Sequence, residues 1–568
     1  MPFRIVTKIA MDTNLNTIAV TLDDGSQIRC AAGTPVRDIL PQHRSSAGLE
    51  YLGALVNNDA VSLSYPVEVD STVTLLTRAD PHGYQIYCRS LCFLLAKAVK
   101  ELYPDARFAV QHSLGAGFFC SFESNGTTGI SEDQLQRIDR QMRASVERDV
   151  PIERRKIAFT EAVRRFEQEK QWDKYNLLRF RNPPKIATCW CEDFSDLAHG
   201  PLASSTGALT VFKLIAYPPG FVLQVTTQDN PKELPPFEPQ PQLFQIYQEH
   251  KEWGRILGVS TVGRLNEIIA NREIGEFIRI AEAFHEKKIA QVSDYIFSHR
   301  DHIKWALIAG PSSSGKTTFA KRLAVQLRVN GLRPVTISVD NYFVNREQTP
   351  VDETGKPDFE NIETVDLKLF NEHLQRLDNG AEVELPHFNF EKGCREYNGE
   401  KLRVEPDQIV LVEGIHGLNP RLTQSLPAAH KLKIYISALT QLNLDSNNRI
   451  STTDNRLVRR MVRDHNFRGN SALATLNMWP GVRRGEKTWI FPFQQEADIA
   501  FNSALDYELA VLKPFVEPLL AEIKPHHPQY AEARRLQAFL SSFLGIPENL
   551  VPPTSILREF IGRSSFQY

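Results

Sequence analysis

Residues 303–320, IKWALIAGPSSSGKTTFA, impose the strongest local constraint on what this chain can fold into. An apolar run, 303–309, leads directly into Gly310-Pro-Ser-Ser-Ser-Gly315-Lys316-Thr317, and a stretch with helical character follows. This is the complete G-x-x-x-x-G-K-[ST] pattern, placed between a strand and a helix as that pattern requires. The segment therefore predicts a phosphate-binding loop on an open parallel sheet.

The chemistry of polyphosphate binding explains each position of this loop. Glycine lets the backbone approach the phosphates, and the helix that follows adds its positive N-terminal end. We expect Lys316 to reach the β- and γ-phosphates and the Thr317 hydroxyl to ligate Mg²⁺. The predicted ATP contacts in the loop are Gly310, Pro311, Ser312, Ser313, Ser314, Gly315, Lys316, Thr317 and Thr318.

The pattern strand, loop, helix repeats after residue 303. The candidate strands are nearly continuous apolar runs, as expected for strands that are buried on both faces. They are Ile303–Ile308, Pro334–Val339, Ile409–Val412, Leu432–Ile436 and Ala497–Phe501. Their alternation with helices predicts right-handed βαβ units and an α/β fold, a doubly wound parallel sheet of the P-loop type over residues 301–525.

Two acids follow the second and third of these strands. Asp340 ends the run Val335–Val339, and Glu413 ends Ile409–Val412. Ligands in open parallel sheets bind beyond the carboxyl ends of the strands, so both carboxylates are expected to face the phosphates. Asp340 is predicted to be the general base for an acceptor hydroxyl or a carboxylate of the metal shell. Glu413 is predicted to bind Mg²⁺ directly or through water.

Residues 453–469, TDNRLVRRMVRDHNFRG, place four arginines on one helical face, because Arg456, Arg459, Arg460 and Arg463 follow the spacing i, i+3, i+4, i+7. Like charges at this spacing repel, so a compensating negative charge is expected. Phosphoryl oxygens would supply it, and the helix is therefore predicted to be an arginine lid that closes over the substrate. A solvated basic face or a nucleic-acid patch is the alternative interpretation.

The remainder of the chain divides into further domains. Residues 1–80 alternate in the manner of strands, with a hairpin signal at Asp23-Asp24-Gly25, and predict a small β-rich module. Residues 81–228 predict a mixed α/β domain that begins with a helix stopped by Pro104. Residues 229–300 predict a linker with five prolines between 230 and 241, then a helical connector. Residues 526–568 predict a helical tail.

Composition excludes several classes of protein. The formal net charge of −2 gives no global electrostatic argument for nucleic acid. The N-terminus has no apolar core of a signal peptide, and no apolar stretch is long enough to span a membrane. Seven scattered cysteines fit a reducing cytoplasm, and Cys189-Trp190-Cys191 has the wrong spacing for a structural zinc site.

The motifs of residues 303–515, in their order, resemble the uridine/cytidine kinase family and its phosphoribulokinase relatives. The segments that carry the resemblance are GPSSSGKTT, SVDNYF, PDFE, LPHFNF, VEGIHG and DNRLVRRMVRD-x-x-x-RG. The resemblance implies that Asp340 is the catalytic base for a nucleoside 5′-hydroxyl. It also implies that Tyr342 lines the nucleoside site, that Glu360 holds ribose hydroxyls, and that Arg460, Arg463 and Arg468 contact substrate and phosphates.

One family segment departs from its pattern here. The base-reading Tyr-Asp-Phe becomes Phe388-Asn389-Phe390, and Gly393 stands where the family has a histidine. Stacking on Phe388 and Phe390 is retained, but the hydrogen bond that would identify a pyrimidine is not. The acceptor is therefore less well defined than the reaction.

The N-terminal half resembles the front end of threonyl-tRNA synthetases, which implies a TGS-like β-grasp domain followed by an α+β domain of the editing type. The segments that support this resemblance are LLAKAVKELYPDA, HSLGAGFF and DLAHGPLASSTGALTVFKL. The His-x-x-x-His motif of that domain is Arg89–Phe93 here, and its Cys-x-x-x-His motif is Ala198–Leu202. Because all four reactive side chains are lost, this half is not expected to be an active editing hydrolase.

The favoured interpretation is a cytoplasmic ATP:nucleoside 5′-phosphotransferase of pyrimidine salvage, acting on uridine or cytidine with Mg²⁺. Its catalytic set would be Asp340, Lys316, Arg460 and Arg463, with Arg456, Arg459 and Arg468 on ATP. The alternatives are a kinase of another ribose-bearing or sugar-phosphate alcohol, and a regulatory or RNA-associated ATP-binding protein. A homo-oligomer is expected, although the sequence does not give its size.

Overall fold

The computed structural model describes residues 17–40, 44–353 and 355–567. Residues 1–16 of the predicted first domain lie outside the described residues. The remainder of that domain forms a mixed five-stranded sheet in which Thr17–Leu22 pairs antiparallel with Gln27–Ala31 and parallel with Ser71–Leu76. The other strands and the one-turn helix of this domain are Thr34–Pro35, Val36–Ile39, Gly53–Val56, Asp59–Ser62 and Pro66–Val67. The hairpin that was predicted at Asp23-Asp24-Gly25 is confirmed.

The second domain begins with the helix Pro81–Leu102, whose apolar face packs on an antiparallel sheet. The strands of that sheet are Arg107–Ser113, Gly117–Ser124, Thr127–Thr128, Phe212–Tyr217 and Gly220–Val225. A second antiparallel sheet is formed by Glu153–Ala158, Lys185–Cys191 and Phe194–Leu197. The remaining helices are Glu132–Glu147, Phe159–Gln168 and Trp172–Leu178. The domain is thus α+β, as the N-terminal resemblance implied.

Three helices connect this domain to the next: Pro241–Leu257, Val262–Ala270 and Ile274–Ser298. The last of them packs on the helix that follows the phosphate loop. Arg322 of that helix pairs with Glu286 at 2.6 Å and with Glu282 at 3.4 Å. The connector is therefore fixed to the P-loop domain by ion pairs to the buried Arg322 as well as by apolar contacts.

The P-loop domain contains a five-stranded sheet that is parallel throughout. In spatial order its strands are Arg333–Ser338, Gln408–Glu413, Trp305–Ala309, Lys431–Ser437 and Ile499–Asn502. Each predicted strand is confirmed to within about two residues, because a parallel strand covered on both faces shows as a continuous apolar run. The helices of this domain are Lys316–Val329, Leu367–Asp378, Thr452–Arg468, Ala472–Trp489 and Glu508–Ala521.

Two hairpins and the C-terminal segment complete the chain. The larger hairpin pairs Val383–Asn389 with Cys394–Leu402, and the smaller pairs Asn443–Asp445 with Asn448–Arg449. The C-terminal helices are Tyr530–Leu540 and Arg558–Ile561. Among the described residues, no helix combines the length and the apolar character that crossing a membrane would need.

Candidate active site

The phosphate loop joins the buried strand Trp305–Ala309 to the helix Lys316–Val329. Two positions in it accept only glycine. A Cβ on Gly310 would lie 2.2 Å from the Ile436 carbonyl oxygen, and Gly315 has a φ of +83°. The loop therefore turns tightly against the next strand of the sheet. Its backbone N–H groups are placed at the start of a 14-residue helix, where anions bind well.

Lys316, Thr317 and Glu413 meet beside this helix start. The Lys316 ammonium donates to the Pro311 carbonyl at 3.1 Å, and the Thr317 hydroxyl lies 3.4 Å from a Glu413 carboxylate oxygen. Ser338 donates to the same carboxylate at 3.2 Å. Burial, and then the charge of Asp340, raise the pKa of Glu413 to about 7. Burial lowers the pKa of Lys316, although four surrounding carboxylates oppose this shift.

Asp340 lies in a short 3₁₀ turn, Val339–Tyr342, immediately after the strand Arg333–Ser338. Burial raises the pKa of Asp340, and the charges of Lys316, Arg468 and Arg463 act against that increase. Asp340 is thus within electrostatic reach of the phosphate-loop lysine. Its strand is separated from the phosphate-loop strand by Gln408–Glu413, which lies between the two. Ser338 and Glu413 are register partners, which brings both acids to one edge of the sheet.

The donor set fits Mg²⁺ held together with a nucleotide. Mg²⁺ is usually bound through one or two carboxylates, with phosphate oxygens and water completing the shell. The Thr317 hydroxyl and the Glu413 carboxylate converge, and Glu413 is only 8% exposed. Within residues 17–40, 44–353 and 355–567, no group of three His, Cys, Asp or Glu side chains could hold a metal ion unaided.

The first two arginines of the helix Thr452–Arg468, called here the arginine helix, differ from their prediction. Arg456 pairs with Glu486, and Arg459, which is fully buried, pairs with Glu508. Their guanidinium groups also donate to the backbone of the phosphate loop, Arg456 to the Ser312 carbonyl at 2.9 Å and Arg459 to the Ser313 carbonyl at 3.3 Å. The compensating negative charges are therefore carboxylates of the protein. These two arginines brace the loop and are not free to close on a phosphate as a lid.

The other three arginines lie toward the open side of the site. Arg460, Arg463 and Arg468 share the buried carboxylate of Asp464, at 3.2, 2.8 and 3.6 Å. Arg460 also donates to the Ser312 hydroxyl at 2.8 Å. Arg463 and Arg468 also act on Asp340, where their charges oppose the increase in its pKa.

Aromatic side chains form one wall beside Asp340. Phe343, Phe388 and Phe390 make edge-to-face contacts at 5.1–6.4 Å, and Phe390 is 52% exposed. Tyr342 is not part of this wall, contrary to prediction. Its ring packs on Phe370 in the core and its hydroxyl bonds to His373 at 3.1 Å. Phe343, the next residue along the chain, lies in the wall instead.

Glu360 is buried beside the arginine helix. One oxygen of its carboxylate has no hydrogen-bond partner among the described residues. Burial, and then the charge of Glu486, raise the pKa of Glu360 to about 7, while Arg460 and Lys316 lower it. An unsatisfied acceptor at this depth is costly, and a ligand hydroxyl would satisfy it.

Gly393 closes the turn of the larger hairpin with a φ of +69°. A Cβ there would lie 2.9 Å from Arg346 Nε, and the Arg346 guanidinium donates to the Phe390 carbonyl at 2.7 Å. Arg346 therefore occupies the space into which a side chain at 393 would extend. This contact gives a physical reason for the glycine in place of the histidine that the family pattern has.

Two acids at the phosphate loop were missed by sequence reasoning. Glu486 accepts the Ser312 N–H at 2.9 Å. Glu559, from the C-terminal segment, accepts from the Thr318 hydroxyl at 2.7 Å and from the Thr318 N–H at 3.3 Å. Both come from segments far along the chain, 174 and 241 residues from their partners. No local pattern marks them, although Glu486 follows two arginines on a helix that faces the site.

Comparisons with known proteins agree with this architecture. Residues 307–510 match the model of the Phosphoribulokinase / Uridine kinase family. The N-terminal half matches threonine–tRNA ligases. That of Desulforamulus reducens is 32% identical over 200 residues, which cover 35% of this chain and 31% of the relative. That of Acetivibrio thermocellus is 31% identical with the same coverage.

The chain thus spans about a third of the length of these curated relatives. Among solved structures, a putative fructose transport system kinase from Silicibacter sp. TM1040 covers 38% of this chain and 98% of its own, at 16% identity and a TM-score of 0.29. Residues 307–510 therefore have the P-loop fold and match this family, and the region before them resembles the front of a threonyl-tRNA synthetase.

Proposed function

We propose that this protein, whose residues 307–510 match the Phosphoribulokinase / Uridine kinase family, transfers the γ-phosphoryl group of ATP to the 5′-hydroxyl of uridine or cytidine. The observation that carries the proposal is the convergence of Lys316, Asp340 and Glu413 at one edge of the sheet. A protein that only bound nucleotide would not require a carboxylate facing the acceptor side of the loop.

ATP would be held by the backbone of Gly310–Thr318 and by Lys316. Mg²⁺, bound by the Thr317 hydroxyl and by Glu413 directly or through water, would neutralise charge on the phosphates. The Glu413 carboxylate is already oriented by Ser338, so its direction is set before the ligand binds.

Asp340 would accept the proton of the acceptor hydroxyl. Burial raises the pKa of Asp340, which brings a carboxylate closer to the proton affinity that suits a general base. Arg463 and Arg468 lie within electrostatic reach of Asp340, and the guanidinium groups of these two and of Arg460 would stabilise the phosphoryl group during transfer.

The acceptor would lie between the aromatic wall and Glu360. Stacking on the exposed ring of Phe390 suits a flat base, and the unsatisfied Glu360 oxygen suits a sugar hydroxyl. Phe388, which was also expected to stack on the base, is buried and packs on Phe390. A second candidate function, phosphorylation of another ribose-bearing or sugar-phosphate alcohol, is favoured by Gly393. That position offers no side chain to read a base edge, and the adjacent Arg346 adds positive charge.

The test is ADP release by the purified full-length chain with a panel of nucleosides and sugar phosphates, and with Mg²⁺. Turnover with uridine or cytidine alone supports the proposal. Turnover with a phosphorylated sugar alone supports the second candidate. Absence of turnover with every alcohol, despite tight ATP binding, would instead favour a regulatory or RNA-associated ATP-binding protein.

A further inference from the structure

The small hairpin of the P-loop domain, Asn443–Asp445 paired with Asn448–Arg449, enters the cleft of the second N-terminal domain. The walls of this cleft come from the two degenerate motifs, Arg89–Phe93 and Ala198–Leu202. Between the hairpin and these walls the cleft keeps a cavity of only about 10 Å³, which Asn447 and Asn448 also line. That volume holds about one water molecule. The hairpin thus fills the space in which a substrate of an editing-type domain would lie.

Asp445 is the centre of this contact. It is fully buried, and one carboxylate oxygen accepts from His199 Nε2 at 2.7 Å. The other oxygen accepts the N–H groups of Asn447 and Asn448 at 3.0 Å, which closes the hairpin turn. Burial alone would raise the pKa of Asp445, but the bond and charge of His199 lower it to about 2. The Asp445 carboxylate therefore stays charged, and it accepts hydrogen bonds from His199 of the second domain and from its own hairpin.

The hairpin tip is held by further hydrogen bonds to the same domain. Asn447 donates to Asp196 at 2.7 Å, and Asp196 in turn pairs with the buried Lys174 at 3.0 Å. The backbone of Ser446 donates to Asp173 at 2.7 Å and accepts from Val110 at 2.8 Å. These bonds fix the position of the hairpin backbone as well as its side chains.

The other end of the hairpin leads to the phosphate loop. Only Ile450 and Ser451 separate Arg449 from the first residue of the arginine helix. The three Cα–Cα steps from Arg449 to Thr452 span at most about 11 Å, so the hairpin restricts the movement of the helix start. In its second and third turns, the helix carries Arg456 and Arg459, which donate to the carbonyls of Ser312 and Ser313.

We infer that the degenerate editing cleft is an intramolecular docking site for hairpin 443–449, and that His199 and Asp445 are positioning residues that hold the arginine helix against the phosphate loop. The N-terminal half then affects the position of the phosphate loop through hairpin 443–449 and the arginine helix that follows it. The catalytic consequence of this inference depends on the proposed function, but its effect on nucleotide binding does not.

The experiment compares the full-length wild type with His199→Ala, His199→Gln and Asp229→Asn. Asp229 is the matched control, because it forms an exposed ion pair with Lys487 that also joins the two halves but lies away from the hairpin. The readouts are the Kd of a non-hydrolysable ATP analogue with Mg²⁺ and the amide hydrogen exchange of residues 452–468.

His199→Ala is expected to weaken the binding of the analogue at least about fivefold and to speed exchange in the arginine helix. Glutamine can donate to Asp445 from a similar position, so His199→Gln should recover most of the loss, and Asp229→Asn should match the wild type. Unchanged binding and exchange in His199→Ala would overturn the inference. If that variant does not fold, Asp445→Asn, which keeps an acceptor for the turn, decides on the same readouts.

A wild type that binds the analogue but phosphorylates no acceptor would refute the proposed function and leave this comparison valid.

Discussion

Glu559, in the C-terminal segment, accepts hydrogen bonds from both the backbone N–H and the hydroxyl of Thr318. Thr318 is in the first turn of the phosphate-loop helix, where N–H groups have no partner within the helix. The Glu559 carboxylate therefore accepts from the Thr318 N–H, a donor that a bound phosphate would also need. The C-terminal segment and the nucleotide are predicted to compete for this position.

Glu559→Gln is predicted to tighten the binding of Mg²⁺–ATP by about two- to fivefold, since removing a partly exposed charge near phosphates is worth up to about 1 kcal/mol. The effect should shrink as salt rises, because mobile ions screen the repulsion. Titration calorimetry at two salt concentrations measures both. Glu548→Gln is the control, as Glu548 pairs with Arg563 in the same segment. Equal affinity of Glu559→Gln and wild type would show that the carboxylate moves aside freely.

Asp340→Asn is predicted to lower kcat by at least about a hundredfold, the usual contribution of a general base, while ATP affinity stays within about threefold of the wild type. The amide keeps the shape of the side chain but cannot take the proton. Steady-state kinetics and a binding titration separate the two effects. Asp407→Asn is the matched control, since Asp407 forms an exposed ion pair with Arg333 at the opposite edge of the same sheet. Retained turnover in Asp340→Asn would remove Asp340 from the catalytic role.

Arg459→Ala is predicted to destabilise the fold by about 3–5 kcal/mol, because it leaves the Glu508 carboxylate buried without its partner. Arg463→Gln should instead lower kcat with a change in stability within about 1 kcal/mol, since Arg463 is partly exposed and shares Asp464 with two other arginines. Denaturant unfolding and steady-state kinetics of the two variants test whether Arg459 acts on stability and Arg463 on turnover. The assignment is wrong if Arg463→Gln proves the less stable of the two.

The raised pKa of Glu360 makes stability depend on pH. In the folded chain this carboxyl has a pKa of about 7, above its unfolded value of 4.5, so the folded state binds the proton more tightly. Stability of the ligand-free protein should therefore fall as pH rises from about 4.5 to 7 and then level off. Glu360→Gln should raise the free energy of unfolding at pH 8 more than at pH 5, by an amount on the order of 1–3 kcal/mol, which denaturant unfolding at the two pH values measures. An equal effect at both pH values would contradict the assignment.

The sheet of the P-loop domain could be predicted from sequence because burial on both faces leaves a direct mark on each strand. The loop from Gly310 to Thr317 could be predicted because its backbone geometry restricts residue choice position by position. The acids after two of the strands were found for a similar reason, since strand ends in a parallel sheet share one edge. The order of the strands in the sheet could not be predicted, because the local pattern of residues carries no information about it.

The roles of individual arginines could not be predicted in the same way. Helical spacing places Arg456, Arg459, Arg460 and Arg463 near one another, but it does not reveal what each one faces. Arg459 meets Glu508, which lies 49 residues further along the chain. Such pairs follow from tertiary packing alone, and so do the contacts of Tyr342 with Phe370 and His373.

One hydrophobic core runs through parts of the chain that sequence divides into separate domains. It contains Phe166 and Leu177 of the editing-like domain, Leu265 of the connector, Phe319 of the phosphate-loop helix and Phe560 near the C-terminus. A cut in the proline-rich segment would therefore divide a shared interior and expose apolar side chains on both fragments. The kinase domain expressed alone should aggregate, and the intact chain should lose these regions in a single cooperative melting step.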